Sequence, residues 1–379
     1  MTRTRFITSP LALLVALVTV LLATPPAPAA TRLPFGMSAF ATVRGVYSSD
    51  DAGRALRDIK SGSLLRYSVE WESIQPGLTS GGTPCPEWAT PETCVQPGPM
   101  SFSRLDSEIS RLSQYGIRLI LVPNAAPPFA RSLDDRPSSL SSSQRPNGYV
   151  VPPANSPVAL ASWQGFVAAL VQHVTTTFPG IVAGVEIWNE PNGQVFWTTQ
   201  TGPDPERYTA VLCSGYNGVR AVSSTLPVIF GSTFPSTAQL PEAMSVPQFV
   251  TRAYRAGARG CLNALGIHPY PTLDSDPLRA FSLAMRQIRS AAAASGDAGR
   301  KLSITEIGLW GDAREQASFL VKSYRMAEGM SDVNMYLVHT LFEYRGSWGM
   351  GVCAAPRKAR AAANSLKREL TGSIRPATC

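Results

Sequence analysis

The chain has 379 residues, 44% of them hydrophobic and 16% charged, with a formal net charge of +8. That length holds one large domain or two ordinary ones, and the composition excludes a disordered or low-complexity chain. The basic residues are scattered, which argues against a nucleic-acid face and for a mildly basic, solvated surface that can still attract an anionic polysaccharide.

Arg3 and Arg5 precede an apolar run from Leu11 to Leu22, followed by Ala27-Pro28-Ala29-Ala30. Basic residues, a short apolar core and an A-x-A site describe a secretory signal peptide over residues 1–29. The run falls short of the ~20 residues of a transmembrane helix. A secreted, extracellular protein is therefore expected, with no stable membrane insertion after cleavage. Loss of the two arginines leaves a charge of +6.

Beyond the signal, residues 30–379 alternate strand-like apolar runs with helical patterns. The expected strands are 35–40, 64–69, 117–122, 182–188, 227–232, 264–268, 302–306 and 334–340. Helical spacing follows each. Leu56 and Ile59 mark the first, and Leu105, Ile109, Leu112 and Tyr115 the second. The others are 163–174, 208–222, 249–256, 278–293, 317–327 and 357–370. Eight strand–helix pairs predict an α/β fold, a single (β/α)₈ TIM barrel, which takes roughly 250 residues. A doubly wound open sheet also alternates, but it would bring a glycine-rich phosphate loop, and none is present. The long irregular stretches 75–100 and 123–156 follow the second and third strands. In a barrel they are long strand-to-helix loops on the face where active sites are built.

The six cysteines are Cys85, Cys94, Cys213, Cys261, Cys353 and Cys379. An even number in an exported chain suggests disulfides. Cys85 and Cys94 share one loop, Cys353–Cys379 would tie down the tail, and Cys213–Cys261 would be left; about fifteen pairings are open in principle. No cysteine sits in an activating motif. The three histidines, His173, His268 and His339, are far apart and no CxxC or HxxxH exists, so no metal site is expected, and a pair of carboxylates acting with water would need no organic cofactor either.

The most informative run is Ile187-Trp188-Asn189-Glu190-Pro191-Asn192, directly after an apolar stretch. A buried strand ending in polar residues and a proline delivers side chains to a rim. Leu302-Ser303-Ile304-Thr305-Glu306-Ile307-Gly308 ends in the same way. Two carboxylates at two strand ends are the minimal apparatus for breaking a glycosidic bond. Their separation decides the route, ~5–5.5 Å for retention through a covalent intermediate and ~6.5–9.5 Å for inversion.

Trp188-Asn189-Glu190-Pro191-Asn192 resembles the fourth-strand signature of glycoside hydrolase clan A, the retaining barrel glycosidases, and Ile304-Thr305-Glu306-Ile307-Gly308 resembles its seventh. The resemblance implies that Glu190 is the general acid/base and Glu306 the nucleophile. Asn189 would bind the sugar 2-hydroxyl. Leu65-Arg66-Tyr67 is similar to the second strand, placing Arg66 near the nucleophile. Gly266-Ile267-His268-Pro269-Tyr270 is similar to the sixth, with His268 and Tyr270 facing the sugar. Asn189 through Phe196-Trp197 to Pro205 and Tyr208 looks most like family 39 and related bacterial polysaccharide hydrolases. The chain departs from the clan at the eighth strand, where a tryptophan commonly floors the reacting subsite. Here the run is His339-Thr340-Leu341-Phe342, and Phe342 or Trp348 is the substitute.

Each of these residues also has a plainer use. Arg66 can pair with Glu70, a lone histidine is usually a satisfied core residue, and Glu72 can form a salt bridge outside the cleft. Trp188, Trp197 and Trp310, near strand ends, are individually better read as core than as sugar platforms. The expected function is a secreted retaining hydrolase of a β-linked oligo- or polysaccharide. Two alternatives are a non-catalytic carbohydrate-binding envelope protein on a degenerate barrel and a transglycosylase using the same site. Sugar, linkage and oligomeric state are not written in the sequence.

Overall fold

A computed structural model describes residues 32–38, 47–85, 89–135, 150–235, 243–271, 276–344 and 349–379. The proposed signal segment and Trp348 lie outside the described residues. Residues Leu33–Cys379 form one compact unit. No helix among the described residues is long and apolar enough to cross a membrane.

Eight strands close into a parallel barrel. In chain order they are β1 (Phe35–Ser38), β2 (Leu64–Glu70), β3 (Arg118–Asn124), β4 (Val182–Asn189), β5 (Val228–Thr233), β6 (Ala264–Ile267), β7 (Lys301–Ile304) and β8 (Val333–Val338). Each strand pairs with its chain neighbours, and β1 closes the ring against β8. A helix follows each strand: α1 (Ser49–Ile59), α2 (Ser103–Ser113), α3 (Pro157–Thr177), α4 (Pro205–Val222), α5 (Val246–Arg255), α6 (Pro277–Ala294), α7 (Ala313–Glu328) and α8 (Ala361–Thr371). The eight expected strands and their helices are all present, with residues 39–40 of the first expected strand outside the described residues. Sequence reading passed over the short turn Trp71–Ile74 and two small hairpins, Gly77–Leu78 with Gln96–Pro97 and Cys353–Ala355 with Lys358–Ala359.

Local sequence explains the helix starts. Ser156, Asp204 and Asp276 each precede a proline at the first helical position, and each side chain accepts a backbone N–H of the opening turn. The cap satisfies an orphan donor, and proline there has no N–H to waste. The disulfides are Cys85–Cys94, Cys213–Cys261 and Cys353–Cys379, as the sequence suggested.

The barrel has two interiors stacked along its axis. Its lower layer is apolar: Leu64, Ile120, Ile229, Met335 and Leu337 pack together, with Ala183 against them. Two residues further along β2 the inward position is Arg66, and two beyond Gly184 on β4 it is Glu186, both buried. The upper layer is ionic and faces the strand C-termini.

Candidate active site

β4 carries the decisive local distortion. Glu186 faces inward and Ile187 outward, against α4, as a strand alternates. Strict alternation would turn Trp188 inward. Instead Trp188 has φ of 77° and packs outside, its ring 5.8 Å from Trp163 and 5.5 Å from Trp197. The next side chain, Asn189, is thereby returned to the interior, and Glu190, with φ of 44°, turns off the strand end. A positive φ is costly in a bulky residue and persists only where the surroundings enforce it.

Tyr208 of α4 supplies that enforcement. Its hydroxyl donates to the Ile187 carbonyl at 3.1 Å and accepts the Gly231 N–H at 2.6 Å. It stands in for a ladder bond where β4 and β5 part. Gly231 has to be glycine, because a Cβ there would sit 2.6 Å from the Ile187 carbonyl oxygen.

The charges converge above this distortion. Arg66 grips Glu186 at two points, Nε to Oε2 at 2.7 Å and Nη2 to Oε1 at 3.0 Å. It also donates to Asn189 Oδ1 at 2.7 Å and to Glu306 Oε1 at 2.6 Å. The Tyr270 hydroxyl donates to Glu306 Oε2 at 2.8 Å. His339 Nδ1 lies 3.4 Å from the same oxygen and 2.9 Å from Ser38 Oγ, and its Nε2 is 3.3 Å from the Tyr344 hydroxyl. Glu190 has a different neighbour: its Oε1 is 2.6 Å from His268 Nδ1. On its other side, His268 Nε2 is 3.1 Å from Thr305 Oγ1.

These surroundings set the acidities. Burial alone would raise the Glu306 carboxyl, but its polar neighbours His339, His268 and the Arg66 guanidinium outweigh it and hold the group well below the usual carboxylate range. Glu186 is likewise buried, and the Arg66 guanidinium beside it holds it down. Burial would discharge Arg66, and the carboxylates of Glu186 and Glu306 keep it more firmly charged. Burial, then the charges of Glu306 and Glu190, push the Tyr270 hydroxyl well above its ordinary value, so it remains a donor.

Of the seven expected site residues, Glu190, Glu306, Arg66, Asn189, His268 and Tyr270 meet at the strand C-termini, and Trp348 lies outside the described residues. Arg66 pairs with Glu186 and Glu306 rather than with Glu70. Glu72 pairs with Arg131, away from this cluster. Phe342 is buried against Tyr47 and offers no open face. Trp188 and Trp197 are core, whereas Trp310, four residues beyond Glu306, is exposed.

Sequence reading missed Glu186, Thr305 and Ser232, and assigned His339 no task beyond its place in the eighth-strand run. Glu186 had a signal: an acid inside an apolar strand must find a buried partner. Oxygen and nitrogen atoms of Glu190, His268 and Glu306 all lie within 4.8 Å of one another. The guanidinium 2.6 Å from Glu306 makes that cluster a poor cradle for a cation.

No family model matches the sequence, and no curated protein matches it. Solved structures do. A monomeric beta-xylosidase from Caulobacter crescentus CB15 is 16% identical over 89% of this chain and 67% of that one, with a TM-score of 0.62. A glucosidase from Croceicoccus marinus is 14% identical over 89% and 67%, with a TM-score of 0.61. A family 39 glycoside hydrolase from Bacteroides cellulosilyticus WH2 is 16% identical over 89% and 64%, with a TM-score of 0.58. The chain thus spans about two thirds of the length of these proteins, and slightly less of the third. Its fold is the closed barrel that these glycosidases share.

Proposed function

We propose that the protein is a secreted retaining glycoside hydrolase of a β-linked oligo- or polysaccharide, with Glu306 as nucleophile and Glu190 as general acid/base. The observation that carries this reading is the asymmetry of the pair. One oxygen of each carboxylate lies within 4.8 Å of the other, a close approach that supports the retaining route, whose carboxyl groups stand ~5–5.5 Å apart. Glu306 is held by the Tyr270 hydroxyl and the Arg66 guanidinium, as a group that must be ionised requires. Glu190 faces His268, a partner that can give or take a proton.

In the first half-reaction a Glu306 oxygen forms a bond to the anomeric carbon. The bond to the leaving oxygen breaks, its electron pair stays with that oxygen, and Glu190 supplies the proton. In the second half Glu190 takes a proton from water, whose oxygen displaces Glu306 from the sugar. Arg66 and Tyr270 hold the nucleophile in place, and Asn189, fixed by Arg66, presents its amide N–H₂ to the sugar. Three disulfides and the N-terminal pattern support export of residues 30–379 as one catalytic domain. The structural neighbours are named for xylosidase, glucosidase, mannosidase and endoxylanase activities, which sets the panel to try.

The test is mass spectrometry after incubation with activated 2-deoxy-2-fluoro xylosides, glucosides and mannosides. A stable adduct on a Glu306 peptide is expected and identifies an accepted sugar. An adduct on another residue overturns the assignment.

A further inference from the structure

Behind Glu190 a chain of buried side chains runs back to Glu186. His268 Nδ1 faces Glu190, its Nε2 faces Thr305 Oγ1 at 3.1 Å, and Thr305 Oγ1 donates to Glu186 Oε1 at 3.3 Å. Ser232 Oγ lies 2.5 Å from Thr305 Oγ1, and the Ser232 N–H donates to Glu186 Oε1 at 3.0 Å. Glu186, Ser232, His268 and Thr305 are all fully enclosed. Bulk water is therefore not there to substitute for any of these bonds.

Counting protons decides the direction of the chain. Thr305 has one hydroxyl proton and three polar neighbours: Glu186, Ser232 and His268. Glu186 is held ionised by Arg66, so it accepts only, and a charged acceptor is the strongest claimant on that proton. With the proton committed to Glu186, Thr305 presents lone pairs to the other two. Ser232 then donates to it, and so does His268, which must carry its hydrogen on Nε2. In neutral imidazole the other nitrogen, Nδ1, is left as an acceptor. The single proton in the 2.6 Å contact with Glu190 then belongs to the carboxylic acid.

We propose that Thr305 and Glu186 are positioning residues that fix the Nε2–H tautomer of His268 and so keep the departing proton on Glu190. This rests on Glu190 being the acid of a glycosidase. Glu186 thereby serves both halves of the site, through Arg66 to Glu306 and through Thr305 and His268 to Glu190. The other groups facing His268 are Glu306, whose Oε2 is 3.7 Å from Nδ1, and the Tyr270 ring, 6.1 Å away and edge-on. The Glu306 carboxylate favours a proton on Nδ1, but at 3.7 Å it lies beyond hydrogen-bond distance, whereas Thr305 Oγ1 is 3.1 Å from Nε2 and makes the stronger claim.

Thr305→Val keeps the shape of the side chain and removes the hydroxyl, and Thr305→Ser returns it. Two readouts separate this idea from the broader one. First, histidine-labelled ¹⁵N NMR at neutral pH, with the three histidines assigned by single His→Gln variants, reads the tautomer without substrate. His268 is expected as Nε2–H in the parent and in Thr305→Ser, and as Nδ1–H or imidazolium in Thr305→Val. The same form in the parent and Thr305→Val overturns the proposal. Second, Thr305→Val is expected to lose roughly 100-fold in kcat/KM on glycosides with poor leaving groups, within the range of general-acid catalysis, and only about threefold on dinitrophenyl glycosides. Equal losses on both classes also overturn it. If the parent cleaves no glycoside, the enzyme reading fails, and the NMR result still decides the relay.

Discussion

Arg66 and Glu186 form a two-point ion pair inside the barrel, with every guanidinium nitrogen committed to Glu186, Asn189 or Glu306. Burying such a pair gains little over apolar packing, but removing one partner strands the other. Arg66→Met is expected to destabilise the fold by about 3–5 kcal/mol, and Arg66→Met combined with Glu186→Leu to recover part of the loss. Urea denaturation of both variants measures the difference. A double variant no more stable than Arg66→Met would show that the pair contributes more than charge compensation.

On the proposed function, Glu306 and Glu190 should respond differently to removal. Glu306→Gln is expected to abolish turnover of every glycoside. Glu190→Ala should slow hydrolysis by roughly 10²–10⁴-fold, chiefly at release of the sugar from the enzyme, with partial rescue by azide. Steady-state and burst kinetics with activated aryl glycosides distinguish the two.

Tyr270→Phe removes one donor from the Glu306 carboxylate and leaves Arg66 in place. A hydrogen bond to a charged group contributes about 1.5–3 kcal/mol, so kcat/KM should fall by about 10- to 100-fold. The acidic limb of the pH profile should move upward, since Glu306 loses part of what keeps it ionised.

Glu186 and Glu306 are both held below the ordinary glutamate value of 4.5 in the fold. The unfolded chain therefore binds protons first as pH falls. Their stabilisation is complete above the unfolded value and is lost as pH drops through the lowered folded values. The urea midpoint of the parent should fall between about pH 5 and about pH 3 more steeply than that of Glu186→Gln. Parallel slopes would exclude Glu186 as a source of the acid sensitivity.

Tyr208→Phe leaves the Gly231 N–H and the Ile187 carbonyl without the hydroxyl that joins them. An unsatisfied buried polar group costs about 1–3 kcal/mol. Because the same hydroxyl fixes the turn at Trp188, activity should fall along with stability. Thermal unfolding and kcat on one substrate together test the link.

The alternation of apolar runs with helical spacing is enough to place all eight barrel strands, since most strand positions are buried and the few polar ones, such as Arg66 and Glu186, do not break the apolar runs. Boundaries such as Asp204-Pro205 and Asp276-Pro277 are local chemistry and equally readable. The partner of Arg66 was not. Glu70 is four residues away, whereas Glu186 is 120 residues along the chain, and only barrel closure brings it to the same layer. Thr305 was quoted within a motif but given no task, because a threonine acquires one only from its neighbours. The tryptophans divide for a similar reason: the reversal at Trp188 depends on Tyr208 and Gly231, and no periodicity announces it.

The apolar layer of Leu64, Ile120, Ile229, Met335 and Leu337 makes the barrel a vessel with one opening. Among the described residues that floor holds no group that can pass a proton, so the ionic layer above it faces solvent through the mouth at the strand C-termini. On the proposed function, a sugar seated there is also a stopper. While it is bound, the proton inventory of the Glu186–Arg66 layer is closed, and each proton moved in the cycle must come from a group already inside or from the water that later enters by the same door.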